Sequence, residues 1–152
     1  MRRILLILMG LGRFKAYWIE ESPRFKLPRL ELLEEWETVV GQRFSDPFRD
    51  KRGQFAKGAL SFKAINDMAD GERHNVELEL RRRALKQMAT RVGELLTPDS
   101  VEQCYLAADP TISRKVQRRL SDAVRQKIIT NLSVNLTRVK RCDIVRHLPS
   151  PA

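Results

Sequence analysis

The chain has 152 residues, 42% hydrophobic and 32% charged, a size and balance that suit one packed domain and exclude two cores or a wholly disordered polypeptide. Its 29 Lys and Arg against 19 Asp and Glu leave a formal net charge of +10, which favours polyanionic partners such as RNA, DNA or an anionic membrane surface. Two cysteines, Cys104 and Cys142, cannot build a disulfide framework, and the sequence lacks a Cys/His cluster with metal spacing, so a zinc module is excluded, no cofactor or metal is expected, and a reducing cytoplasm is the natural compartment.

The amino terminus, Met1-Arg2-Arg3 followed by the apolar residues 4–9, resembles the start of a secretory signal. It lacks a small-x-small cleavage pattern, and the run is far short of the roughly 20 residues that span a bilayer. A short branched run bounded by glycine instead reads as a strand buried on both faces. A second strand follows over residues 14–20, with Phe14, Ala16 and Trp18 on one face and Lys15, Tyr17 and Ile19 on the other. The short glycine-bearing link at residues 10–13 makes the two a hairpin. Residues 29–37 read as a third strand with Leu30, Leu32 and Trp36 on one face, opposed by Glu31, Glu35 and Glu37.

Residues 38–75 show no sustained period and are expected to form a long mobile loop, with a short helix near residues 59–68. Residues 76–96 carry the clearest signal. Leu78, Leu85, Met88, Val92 and Leu95 recur at helical steps, and Glu77 with Arg81 and Glu79 with Arg83 are acid-before-base pairs one turn apart. A strand is expected over residues 101–107. Asp109-Pro110 then pairs a capping side chain with a first-turn proline for a helix whose Ile112, Val116 and Leu120 face inward. Residues 127–132 read as a last strand, although Ala123, Val124 and Ile128 also allow that helix to continue. Thr137 is positioned to cap a final helix over residues 138–148. The sum is one domain, residues 1–148, with a tail at 149–152. Its class is α/β (α+β), a mixed sheet of about five strands with flanking helices.

The chemistry-bearing residues argue against catalysis by a nucleophile. His74 and His147 lie in no Ser/His/Asp or Cys/His arrangement, and no phosphate-cradling glycine loop is present. The basic groups are more informative. Arg81, Arg82, Arg83, Lys86 and Arg91 fall on the long helix, Arg114, Lys115, Arg118 and Arg119 on the next, and Arg138, Lys140 and Arg141 near the last. Helical arginines at fixed spacing can neutralise phosphates, with counterion release as the driving term.

Several landmarks occur in one order: the hairpin start, the segment at residues 45–55 (Ser-Asp-Pro-Phe-Arg-Asp-Lys-Arg-Gly-Gln-Phe), the long helix, the strand at 104–108, the helix ending Arg118-Arg119-Leu120, Asn135-Leu136-Thr137 and a terminal His147-Leu148. Together they resemble the bacterial host-attachment-protein family, whose members carry an Asp-Arg-Pro-Gly-Arg-Ser-Phe-like loop and a Lys-Asp-Leu-Thr-like turn. Here the loop reads Asp50-Lys51-Arg52-Gly53-Gln54-Phe55, and Asn135 stands where the acid would be. That family is similar in turn to the middle domain of archaeal and eukaryotic class I release factors and of Pelota-type rescue factors. The resemblance implies a ribonuclease-H-like sheet and a setting on the ribosome.

In release factors the corresponding loop carries Gly-Gly-Gln; here Gly53-Gln54 is preceded by Arg52, and a second pair, Gly41-Gln42, lies nearby. Gly53 and Gln54 are therefore the candidate catalytic residues, for peptidyl-tRNA ester hydrolysis. The leading expectation is a non-enzymatic or weakly enzymatic factor on the ribosome. It would bind rRNA or tRNA through Arg49, Lys51, Arg52, Lys57, Arg82, Lys86, Arg114, Lys115, Arg118 and Arg119. The alternatives are a host-attachment-type protein-interaction factor with no RNA role, and a peptidyl-tRNA hydrolase.

Overall fold

Six uncharged side chains in a row, residues 4–9, become the centre of the molecule. In the computed structural model, which describes residues 3–45 and 70–149, they form β1 (Arg3–Met9), paired antiparallel to β2 (Arg13–Glu20) and parallel to β4 (Cys104–Ala108). β3 (Arg29–Glu37) lies antiparallel outside β2 and β5 (Ile128–Leu132) parallel outside β4, giving the order β3-β2-β1-β4-β5. The helices are α1 (Val39–Ser45), α2 (Asp70–Leu96), α3 (Pro110–Arg118), α4 (Asp122–Lys127) and α5 (Arg141–His147). A five-stranded mixed sheet with flanking helices is thus the architecture, as expected.

Because side chains alternate across a strand, β1 serves two cores at once. Leu5, Ile7 and Met9 join Phe14, Ala16, Cys104 and Leu106 under Leu85, Met88, Val92 and Leu96 of α2 and Val116 of α3. Ile4, Leu6 and Leu8 join Tyr17, Ile19, Leu30 and Ala107 under Leu136 and Ile144 of α5. Each fully buried Leu or Ile contributes roughly 1.5–3 kcal/mol of transfer free energy, which makes this strand the principal stabilising element. The thiol of Cys104, buried in the first core, is pushed well above its ordinary pKa by desolvation.

Four details depart from the sequence-based expectation. The pairing of β2 with β3 shifts register between Ala16 and Tyr17, so Leu33 is an extra residue and the alternation reverses after it. Trp36 therefore leaves the face of Leu30 and Leu32 and stacks on Phe14, ring centroids 4.7 Å apart, while Glu35 and Glu37 take the other side beside Lys15 and Arg13. Residues 38–75 are not structureless throughout: Val39–Ser45 and Asp70–Asn75 are helical, and 46–69 lie outside the described residues, with the short helix expected at 59–68. In α2 the buried positions begin at Ala84, so Leu78 is 43% exposed, and Ala84, Ala89 and Leu96 complete the inner face.

Finally, Thr137 caps no helix. α5 begins at Arg141, with Lys140 at its N-cap and no side-chain cap. Thr137 is buried, and its N–H and hydroxyl both donate to Asn135 Oδ1, at 3.0 and 2.6 Å. The two competing readings of residues 122–132 are both fulfilled in sequence, as α4 then β5.

The carboxyl end of β1 is where distant segments meet. The Thr38 hydroxyl donates to Leu11 O at 2.6 Å and accepts from the Gly41 N–H at 3.3 Å, capping α1 while fastening it to the β1–β2 turn. A Cβ on Gly41 would stand 1.9 Å from Gly12 O, so only glycine allows α1 this approach. Gly41-Gln42 is thus a packing element. On the other side of the turn, a Cβ on Gly10 would lie 3.0 Å from Thr137 Oγ1 and 3.1 Å from Asn135 Nδ2. Asn135 keeps the acceptor oxygen that an aspartate would supply to this turn and drops the charge.

Candidate nucleic-acid interface

α3 owes its position to its first two residues. Asp109 ends β4 and accepts from the Thr111 N–H at 2.9 Å, and Pro110 at the first helical position gives up no needed donor. The helical period then turns Val116 and, beyond the helix, Leu120 into the core and leaves Arg114, Lys115, Arg118 and Arg119 exposed. Lys115 and Arg118 fall in the last turn, where cations suit the helix dipole. Among the described residues none of the four has a carboxylate within ion-pair distance.

Between α3 and the ends of β4 and β5 opens a cleft of about 400 Å³, bordered by Arg114, Arg118, Arg125, Ser113, Gln117 and Asn131. Its polar floor is tied together. Gln117 Nε2 donates to Ser113 Oγ at 2.8 Å and to Asn131 Oδ1 at 2.7 Å, leaving the other amide atoms of Gln117 and Asn131 for a ligand. Arg125 is held by Asp122 of its own helix. The carboxyl ends of parallel strands are the usual seat of ligands in open α/β sheets, and guanidinium forks match phosphate oxygens. Arg125, Ser113, Gln117 and Asn131 were not among the sequence candidates. The i, i+4 spacing of Ser113 and Gln117 was the available signal, whereas Asn131 joins them only through the crossover.

The other sequence candidates are dispersed. Arg82 shares Glu79 with Arg83, at 3.4 and 3.2 Å, so its charge is partly balanced. Lys86 borders a second groove beside Trp36 and Val39, at the β3 edge of the sheet and far in the strand order from the α3–β5 cleft. Arg49, Lys51, Arg52, Lys57, Gly53 and Gln54 lie outside the described residues. His74 is exposed within α2 and His147 at the end of α5. No group of His, Cys, Asp and Glu able to hold a metal occurs among the described residues.

At the β3 edge Arg91, Arg13 and Lys15 are neutralised, while Lys86 and Arg29 have no carboxylate within ion-pair distance among the described residues. Arg91 reaches across to Glu34, Nη2 to Oε1 at 2.6 Å, and Nη1 reaches Glu94 at 2.7 Å. Burial raises the Glu34 carboxyl, but hydrogen bonds from Arg91 and from the Trp36 indole, 2.8 Å away, outweigh it and hold the pKa below the ordinary carboxylate value. Its bonds to Glu34 and then to Glu94 raise Arg91 further. Arg13 meets Glu35 and Glu37, and Lys15 meets Glu35.

Fold and cleft together describe a basic α+β protein with a mixed five-stranded sheet. A family model described as "Protein required for attachment to host cells" matches residues 14–148, and the chain belongs to that family. A search of the curated proteins finds no match.

Proposed function

We propose that this protein is an RNA-binding factor that works on the ribosome, gripping phosphate backbone with α3 and the adjoining cleft. One observation carries the reading: Arg114, Lys115 and Arg118 of one short helix and Arg119 at its C-cap are exposed together without carboxylate partners among the described residues. The cluster differs from Arg13, Arg83 and Arg91, each of which meets a carboxylate, and its binding energy comes from counterion release. The strand order β3-β2-β1-β4-β5, with β2 antiparallel to both neighbours, accords with the ribonuclease-H-like relation that the sequence resemblance to release-factor middle domains implies.

Sedimentation of the purified protein with ribosomes through a sucrose gradient tests this. Co-migration at low salt, lost on raising salt, is expected; protein confined to the top fractions at low salt refutes the docking. Ester hydrolysis would run through Gly53-Gln54. It requires that Gln54→Ala abolish release of a labelled peptide from peptidyl-tRNA while ribosome binding persists.

The family description favours a second reading, a protein-interaction factor in attachment to host cells with no RNA role. Recovery of its partner would then survive nuclease treatment.

A further inference from the structure

The β2–β3 hairpin ends in the segment Pro23-Arg24-Phe25-Lys26-Leu27-Pro28-Arg29. Its stem is tightly packed, with Ile19 and Leu30 both buried, yet Phe25 is 67% and Leu27 61% exposed. Two large apolar side chains within three residues therefore contribute nothing to either core, and folding gives no reason for them. Arg24, Lys26 and Arg29 are exposed between and beside them and form no ion pair among the described residues. Glu20 and Glu21 are half-buried where the stem meets the loop, Glu20 opposite Arg29 in the register, so Arg24 and Lys26 are the cations that stand farthest from an acid.

The tip is also stiff. The Phe25 N–H donates to Ser22 O at 3.2 Å and the Arg24 N–H to Ser22 Oγ at 3.3 Å, and Pro23 and Pro28 fix their own φ. A pre-shaped tip loses little conformational freedom on docking.

We infer that this tip is a docking point for an anionic lipid surface. The cations are drawn to acidic headgroups while Phe25 and Leu27 enter the boundary of the acyl chains, an alternation typical of interfacial anchors. A bilayer accepts two such side chains singly, whereas a stable protein interface needs a far larger buried patch. A single-stranded nucleic acid would find a stacking surface in Phe25 but none in Leu27. The contact is peripheral: no helix among the described residues is long and apolar enough to cross a membrane. It rests on different residues from the RNA reading and stands or falls without it.

The test is flotation with vesicles of phosphatidylcholine alone and of phosphatidylcholine with phosphatidylserine. The wild-type chain should float with the anionic vesicles and not with the neutral ones. Phe25→Ala/Leu27→Ala, which leaves the charge unaltered, should weaken that partitioning by roughly tenfold or more with an unchanged thermal melt. Neutralising Arg114, Lys115, Arg118 and Arg119 should leave the sensitivity to the Phe25/Leu27 pair intact. Three outcomes overturn the proposal: no flotation of the wild type, equal flotation of the double variant, or a double variant that loses affinity for an RNA oligonucleotide and retains its affinity for vesicles.

Discussion

The two edges of the sheet use the same residue type for opposite ends. At the β3 edge, Arg13, Lys15 and Arg91 are spent on Glu35, Glu37, Glu34 and Glu94, fastening β2, β3 and α2 to one another. At the β5 edge, α3 presents Arg114, Lys115, Arg118 and Arg119 with no carboxylate answering them among the described residues. A net charge of +10 is therefore not a uniform coat. What matters for a polyanion is where the compensation is missing.

The sharpest way to break this contrast is to replace Arg114, Lys115, Arg118 and Arg119 by glutamine. Affinity for an RNA fragment should fall by about 100-fold or more at low salt. The slope of log affinity against log salt should become shallower by about 3, the share of four single-strand phosphate contacts, and thermal stability should scarcely move. Gly41→Ala probes the other edge. Forcing α1 off the β1–β2 turn should cost about 2–3 kcal/mol in urea unfolding, with the RNA salt slope unaffected in the folded protein.

Glu34→Gln should cost about 1–2 kcal/mol near neutral pH, since Arg91 and the Trp36 indole lose a charged acceptor. The sign with pH follows from the lowered carboxyl. Its contribution is complete above the unfolded-state value of about 4.3 and disappears as pH falls through the lower folded value, so wild type and variant should converge in acid unfolding curves. Glu35→Gln, exposed itself and paired with exposed Arg13 and a largely covered Lys15 at 3.7 and 3.6 Å, should change stability by less than about 1 kcal/mol. It adds net positive charge at the β3 edge. An increase in RNA affinity comparable to what α3 supplies would blunt the distinction between the edges.

Much of this architecture was legible because it is local. The period-two alternation of residues 14–19, the extent of β3 and the Asp109-Pro110 start of α3 are all written in short stretches of side chain. The outward set of α3 followed from the same helical period that buried Val116. What escaped notice was set by tertiary pairing. The extra residue at Leu33 is visible only when β3 is laid against β2, and it sends Trp36 to the Phe14 side. Thr137 has the chemistry of a helix cap, but Asn135 two residues earlier captured its hydroxyl first. Ser113, Gln117 and Asn131 form one floor because a crossover brings β5 beside α3, a proximity that no window of sequence contains.

The extra residue in β3 has an evolutionary corollary. Outer strands of a sheet ordinarily absorb insertions and deletions cheaply, and losing Leu33 would leave Glu34, Glu35 and Trp36 opposite Ala16, Lys15 and Phe14, whereas closing the bulge with Leu33 retained would turn every later side chain of that strand over. Glu35 would be driven toward the ring of Phe14, Trp36 would be left in water, and Arg91 would lose Glu34 and keep only Glu94 of its own helix. Descendants of this sequence should therefore keep the bulge or shed its one extra residue, and should not close it at constant length.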